Sequence, residues 1–342
     1  MEGTEAEPSA SGAVIDAARR VASLVGPRLD AAVTALVLLS VVGFLLDVRS
    51  HMAGLDFAEE GFATPEHTVI YGGVALAAVL VVVVTVARGR ESAGWVAAVP
   101  EGYGLGFVGL GLFILGGPGD FLWHTTFGAE ADIEALVSPT HLLLATGAVL
   151  FGTSPLRASW RRTDAVGPLA QFAVAVPAAL VLTVFTGFTL YAHPAVVLPG
   201  TGHTRTALAL AGLQLNAALL AGTVLLLVGR FPLGTGWFTV LVGFNGAAMT
   251  VLGESFFLLP AYLLAGAVAD LVSATFRPSA DRPLAMRVLG ATLPGTLAAT
   301  HFATLWLRGV LRWSVHLWAG GVFLATAAGL LVSYLVVPPR RP

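Results

Sequence analysis

The sequence predicts an all-α protein: a polytopic integral membrane helical bundle of about ten transmembrane helices, with both termini cytoplasmic and an internal hairpin repeat. Three observations predict it. The composition is 56% hydrophobic and 11% charged, with mean hydropathy +0.83, where a soluble domain carries about 25% charged residues. Apolar stretches of spanning length recur along the chain. Arginine, the only basic residue besides histidine, concentrates in alternate connections. The chain is therefore expected in the cell membrane as a multi-pass protein with lipid as its first partner. A net charge of −2 points to no nucleic-acid partner. The lack of cysteine removes disulfides, iron–sulfur clusters and thiolate metal sites. A homo-oligomer and a hetero-oligomer both stay open.

Residues 1–29 read as a cytoplasmic tail. Its first twelve residues are small, polar and acidic, unlike a cleavable signal. Residues 13–28 set Val14, Ile15, Val21, Leu24 and Val25 around Arg19 and Arg20. That pattern suits a short amphipathic helix on the membrane surface, or a solvated tail. The transmembrane domain covers 30–338. A membrane helix takes ~20 mostly apolar residues. Segments near 31–48, 67–88, 98–117, 138–154, 167–191, 205–229, 234–253, 255–275, 285–307 and 313–337 meet this description.

Basic residues favour the cytoplasmic side. Arg19, Arg20 and Arg28 precede the first segment. Arg88 and Arg90, then Arg157, Arg161 and Arg162, then Arg230, then Arg277, Arg282 and Arg287 fall at even-numbered connections. Arg340 and Arg341 end the chain. The opposite side holds only Arg49, Arg205, Arg308 and Arg312. All eight histidines share that opposite, extracytoplasmic side: His51, His67, His124, His141, His193, His203, His301 and His316. Histidine is the commonest metal ligand and carries protons near neutral pH, so the clustering suggests a polar or metal site there.

The first two hairpins, near 31–88 and 98–154, repeat one another. Asp47 and His51 precede Thr64-Pro65-Glu66-His67. Asp120 and His124, each 73 residues further on, precede Ser138-Pro139-Thr140-His141. Residues four apart share a helix face. Ser or Thr followed by Pro starts a helix, which puts the second histidine in its first turn. One carboxylate and two imidazoles per hairpin then converge at the membrane surface. Asp47, His51, His67, Asp120, His124 and His141 are the candidate metal ligands, in two mononuclear sites or one dinuclear site. A shared packing motif with Asp–His hydrogen bonds is the plainer alternative.

His193, His203, His301 and His316 echo the pattern weakly in later hairpins. Trp306, Trp313 and Trp318 beside them suit an interfacial belt. Glu130, Glu134 and Glu254 are candidate acid–base groups or partners for metal-bound imidazoles. Gly116-Gly117-Pro118-Gly119 is expected to break the third segment before Asp120 and to open a cavity there. Gly104-x-Gly106-x-x-Gly109 matches a dinucleotide fingerprint, but it lies in an apolar helix with no preceding strand, where small residues serve close packing. Gln171, Gln214, Asn216 and Asn245 suit interhelical hydrogen bonds. Asp270 is expected to reach the cytoplasmic interface.

Asp-x3-His with a further histidine at the next helix resembles the copper motif, Asp-x3-His-x12-His, of the C subunit of particulate methane and ammonia monooxygenases. The resemblance covers about 22 residues in each repeat, and the spacing to the last histidine departs: fifteen intervening residues in the first repeat and sixteen in the second. It implies copper on Asp120, His124 and His141, with Asp47, His51 and His67 as a duplicate. Without sulfur ligands the donor set also suits iron or zinc. The function expected is a copper- or iron-dependent oxidoreductase or monooxygenase acting on a small or lipid-soluble substrate. A metal-ion or proton-coupled transporter, a zinc-dependent membrane hydrolase, a b-type haem protein and a structural membrane subunit are the alternatives.

Overall fold

The computed structural model describes residues 10–52, 64–89, 94–128, 134, 137–162 and 167–339. The helices among them are α1 (Ala10–Val25), α2 (Leu29–Met52), α3 (Pro65–Gly89), α4 (Trp95–Ala98), α5 (Gly104–Phe127), α6 (Pro139–Gly152), α7 (Ser154–Arg161), α8 (Pro168–Phe188), α9 (His203–Arg230), α10 (Trp237–Leu252), α11 (Leu259–Phe276), α12 (Pro283–Leu307) and α13 (Val315–Val336). No strand occurs among the described residues; a lone bridge joins Ser279 to Arg282.

Each of the ten apolar segments falls on a helix, but among the described residues seven stretches are long and apolar enough to cross a membrane. These are Leu29–Ser50, Pro65–Gly89, Gly104–Phe127, Pro168–Phe188, His203–Arg230, Phe256–Phe276 and Val315–Val336. The other three are α6, α10 and α12. At 1.5 Å per residue, α6 and α10 are shorter than the ~30 Å hydrocarbon layer. Arg287 lies in the second turn of α12.

Two hydrophobic cores share α8 as a wall. Val33, Val37, Val74, Val81, Phe113 and Phe151 build the first, from α2, α3, α5 and α6. Leu220, Leu241, Met249, Leu289 and Leu293 anchor the second, from α9, α10 and α12. Val176 and Leu180 of α8 face the first core, whereas Val174, Ala178 and Leu182 face the second. Each set is spaced by four, the repeat of one helix face.

The hairpin repeat extends well beyond the histidines. α3 crosses α2 where Gly73 meets the Leu36 carbonyl and the Ser40 backbone; α6 crosses α5 where Gly147 meets the Gly109 carbonyl and the Phe113 backbone. Positions 36, 40 and 73 correspond to 109, 113 and 147. Nearer the histidine end, Gly43 faces the Ile70 backbone as Gly116 faces that of Leu144. The two hairpins therefore share one crossing geometry, set by small residues that let backbones approach. At the opposite end, the Tyr103 hydroxyl donates to Asp30 Oδ1 at 2.7 Å. These residues are themselves 73 apart, so equivalent positions touch.

Two expectations change. The third helix begins at Gly104 rather than near 98, because Gly102 at φ +87° turns the chain after Pro100. A Cβ at 102 would run into the Ala158 backbone of α7, which makes that close turn a glycine position. Pro118 does not break the helix either: α5 runs unbroken to Phe127. Pro removes one intrahelical bond, but packing of α5 along α6 holds the helix across it. Proline is tolerated this way in membrane helices.

Candidate metal centre

Asp120 lies buried on α5, one turn before His124. Its Oδ2 is 3.6 Å from His124 Nε2, and its Oδ1 is 3.2 Å from His141 Nε2. Thr140 donates its hydroxyl to Asp120 Oδ1 at 2.8 Å. Ser138 caps α6 by accepting the His141 backbone N–H at 3.3 Å, which fixes His141 in the first helical turn. The His124 and His141 rings stand 5.5 Å apart. One ligand atom from each of Asp120, His124 and His141 lies within 4.8 Å of the others. Two imidazoles and one carboxylate can hold a metal ion, and a set of three leaves coordination positions open for another ligand.

The first hairpin reproduces part of this. His67 Nε2 is 3.4 Å from Asp47 Oδ1, with both side chains largely enclosed. Thr64 caps α3 by accepting the His67 backbone N–H at 3.1 Å, as Ser138 does on α6. His51 lies on α2 four residues beyond Asp47; its side chain is outside the described residues. Tyr71, one turn beyond His67, was not singled out from sequence. Its ring stands 5.9 Å from that of His67 and 5.7 Å from that of Phe113 on α5. It lies within electrostatic reach of both Asp47 and Asp120. Its spacing of four from His67 is the signal that would have found it. Thr140 sat inside the Ser-Pro-Thr-His motif and was likewise overlooked.

The remaining candidates scatter. Glu254 is exposed, at φ 51°, and accepts from Arg49 at 2.7 Å, two residues beyond Asp47. Glu134 is exposed, and Glu130 lies outside the described residues. His203 and His316 are exposed at the starts of α9 and α13. His193 and His301 are instead buried together in the second half of the chain. His193 Nδ1 accepts the Ala195 backbone N–H at 3.2 Å, and the ring stacks on Tyr262 at 6.4 Å. That bond leaves the ring proton on Nε2, which faces Asn216. Trp313 is not a belt residue: it is buried against Phe302, with its indole N–H donating to Gly200 O at 3.1 Å.

The polar residues within the bundle are mostly structural. Asn245 donates to Thr186 at 2.8 Å, joining α10 to α8. Asp270 lies at the arginine-bearing end of its helix, next to the start of α10. It is buried and caps α10, accepting the backbone N–H groups of Phe238 and Thr239 at 3.2 and 2.9 Å. Unpaired N–H groups at a helix start attract such a carboxylate. Gly106 and Gly109 face Ser154 and the backbone of α6, as close packing demands.

The fold and the triad define a helical protein of membrane type with a group of side chains that can hold a metal ion. No family model, no curated protein and no solved structure matches the chain. The resemblance to the monooxygenase copper motif thus has no family match behind it.

Proposed function

We propose that the chain is a multi-pass membrane metalloprotein of about ten spans, in which Asp120, His124 and His141 bind one transition-metal ion at the histidine-bearing face. The single observation that carries this is the convergence of one carboxylate oxygen and two imidazole nitrogens within 4.8 Å, drawn from two helices. Nearby, Thr140 holds Asp120 Oδ1 and so orients the carboxylate. The donor set and its open positions favour copper or iron and an oxidation of a small or lipid-soluble substrate arriving from the bilayer. The ion would supply the redox chemistry. This chain's own residues would fix the ligand geometry and limit access of water, since Asp120 is buried while His141 is partly open.

The same donor set also holds zinc, which would turn the reading towards hydrolysis by a metal-bound water. One measurement separates them: metal content of the detergent-purified protein by mass spectrometry, with its visible spectrum. Near-stoichiometric copper or iron is expected, with the ion held by Asp120, His124 and His141 lost in His124→Ala. Stoichiometric zinc would replace the oxidoreductase reading with the hydrolase. Metal absent from the wild type, or unchanged in the variant, would sink the site.

A further inference from the structure

We infer that the first hairpin holds a second ion of the same class, so that the chain carries two metal ions, one per repeat. This rests on the reading of Asp120, His124 and His141 above.

The argument is one of equivalent positions in equivalent geometry. The crossings at Gly73 and Gly147 superimpose the same backbone partners in both hairpins. Thr64 and Ser138 then start α3 and α6 with the same side-chain cap. As a result the second helix of each hairpin presents its histidine Nε2 to an Asp Oδ1 on the first helix, at 3.4 Å in one and 3.2 Å in the other. Position 51 follows Asp47 on α2 as His124 follows Asp120 on α5. Every ligand of the complete triad thus has a counterpart of the same residue type on the same helix turn. A repeat kept only for packing needs its glycines and caps, but it does not need an enclosed carboxylate facing an imidazole in both copies.

Tyr71 breaks the symmetry. Its counterpart in the second repeat is Ala145. The ring leans out of α3 towards α5 and lies beside Gly117, where a Cβ would stand in ordinary contact, 3.5 Å from the ring and 3.6 Å from the hydroxyl. It thereby comes near both Asp47 and Asp120.

The test is a titration of the metal-stripped, detergent-purified full chain with Co2+. Visible absorption follows the coordination environment, and mass spectrometry counts bound ions. Two ions per chain are expected in the wild type and in Tyr71→Phe. One is expected in His67→Ala, in Asp47→Asn and in His124→Ala, and none when His67→Ala and His124→Ala are combined. A single wild-type ion that survives His67→Ala and is lost in His124→Ala would overturn the second site and leave the triad standing. No bound Co2+ in the wild type would overturn both. The wild-type count decides even where a variant fails to fold.

Discussion

At His193 the ring is removed from water and its Nδ1 is engaged by the backbone of Ala195. Burial pushes its pKa down to about 3 from the usual 6.5, with the neighbouring His301 lowering it further and Asn216 acting the other way. The folded chain then keeps this imidazole neutral where the unfolded chain protonates it. Between about pH 6.5 and 3 the unfolded state binds more protons, so stability falls as pH falls through that window. Above it, the histidine adds no pH dependence. His193→Asn keeps an acceptor near the position of Nδ1 and removes the titration. Thermal melts of metal-free protein at pH 7 and pH 4.5 should therefore lie closer together in His193→Asn than in the wild type. An unchanged gap would show that this residue does not titrate as its burial requires.

The hairpin is the element on which the candidate site depends. α5 and α6 approach so closely at Gly147 that a Cβ there would lie 2.7 Å from Gly109 O and from Phe113 N. Both are backbone atoms within helices and cannot swing aside as a side-chain tip can. Gly147→Ala should separate the two helices, costing roughly 1–3 kcal/mol, the usual range for overpacking. The separation should also draw His141 away from Asp120 and weaken metal binding. Gly111→Ala, on the same hairpin with nothing near its Cβ, should be neutral or raise the melting temperature slightly, since alanine favours a helix over glycine by about 1 kcal/mol. Melting temperature and Co2+ affinity, measured on both variants, check the pair. Equal effects would mean that the crossing does not hold the site.

Across the whole molecule, polar contacts between connections collect at the two ends of the bundle. At the histidine end, Arg49 meets Glu254, Ser255 donates to Ala195 O at 2.6 Å, and Trp313 donates to Gly200 O. At the other end, Asp30 joins Tyr103 and Arg162, Arg230 meets Trp160 O, and Gly234 N–H donates to Gln171 at 2.8 Å. Arginine is abundant at this second end, the pattern expected of a cytoplasmic face. The chain has no cysteine, so single substitutions report cleanly. A membrane-impermeant thiol reagent applied to intact cells should label Thr201→Cys and leave Ala280→Cys unlabelled until the cells are opened. Both positions are exposed. The reverse pattern would put the histidine face inside and overturn the expected orientation.

Sequence alone determined where the helices are and how the chemistry is spaced along them. A polar backbone in an apolar segment must satisfy its own hydrogen bonds, so helix formation is decided locally and can be read from hydropathy. The Asp-x3-His spacing and the Ser/Thr-Pro starts are local in the same sense, and they put Asp120, His124 and His141 within reach of one another. Which helix faces meet is not a local matter. It depends on backbone approach at Gly73, Gly109 and Gly147, and on side chains supplied by distant segments. Only the tertiary structure set Tyr71 against His67 and Phe113, carried α5 unbroken through Pro118, set buried Asp270 over the start of α10, and buried His193 and His301 while leaving His203 and His316 exposed. Spacing places residues on a turn; packing between helices selects which of them share a site.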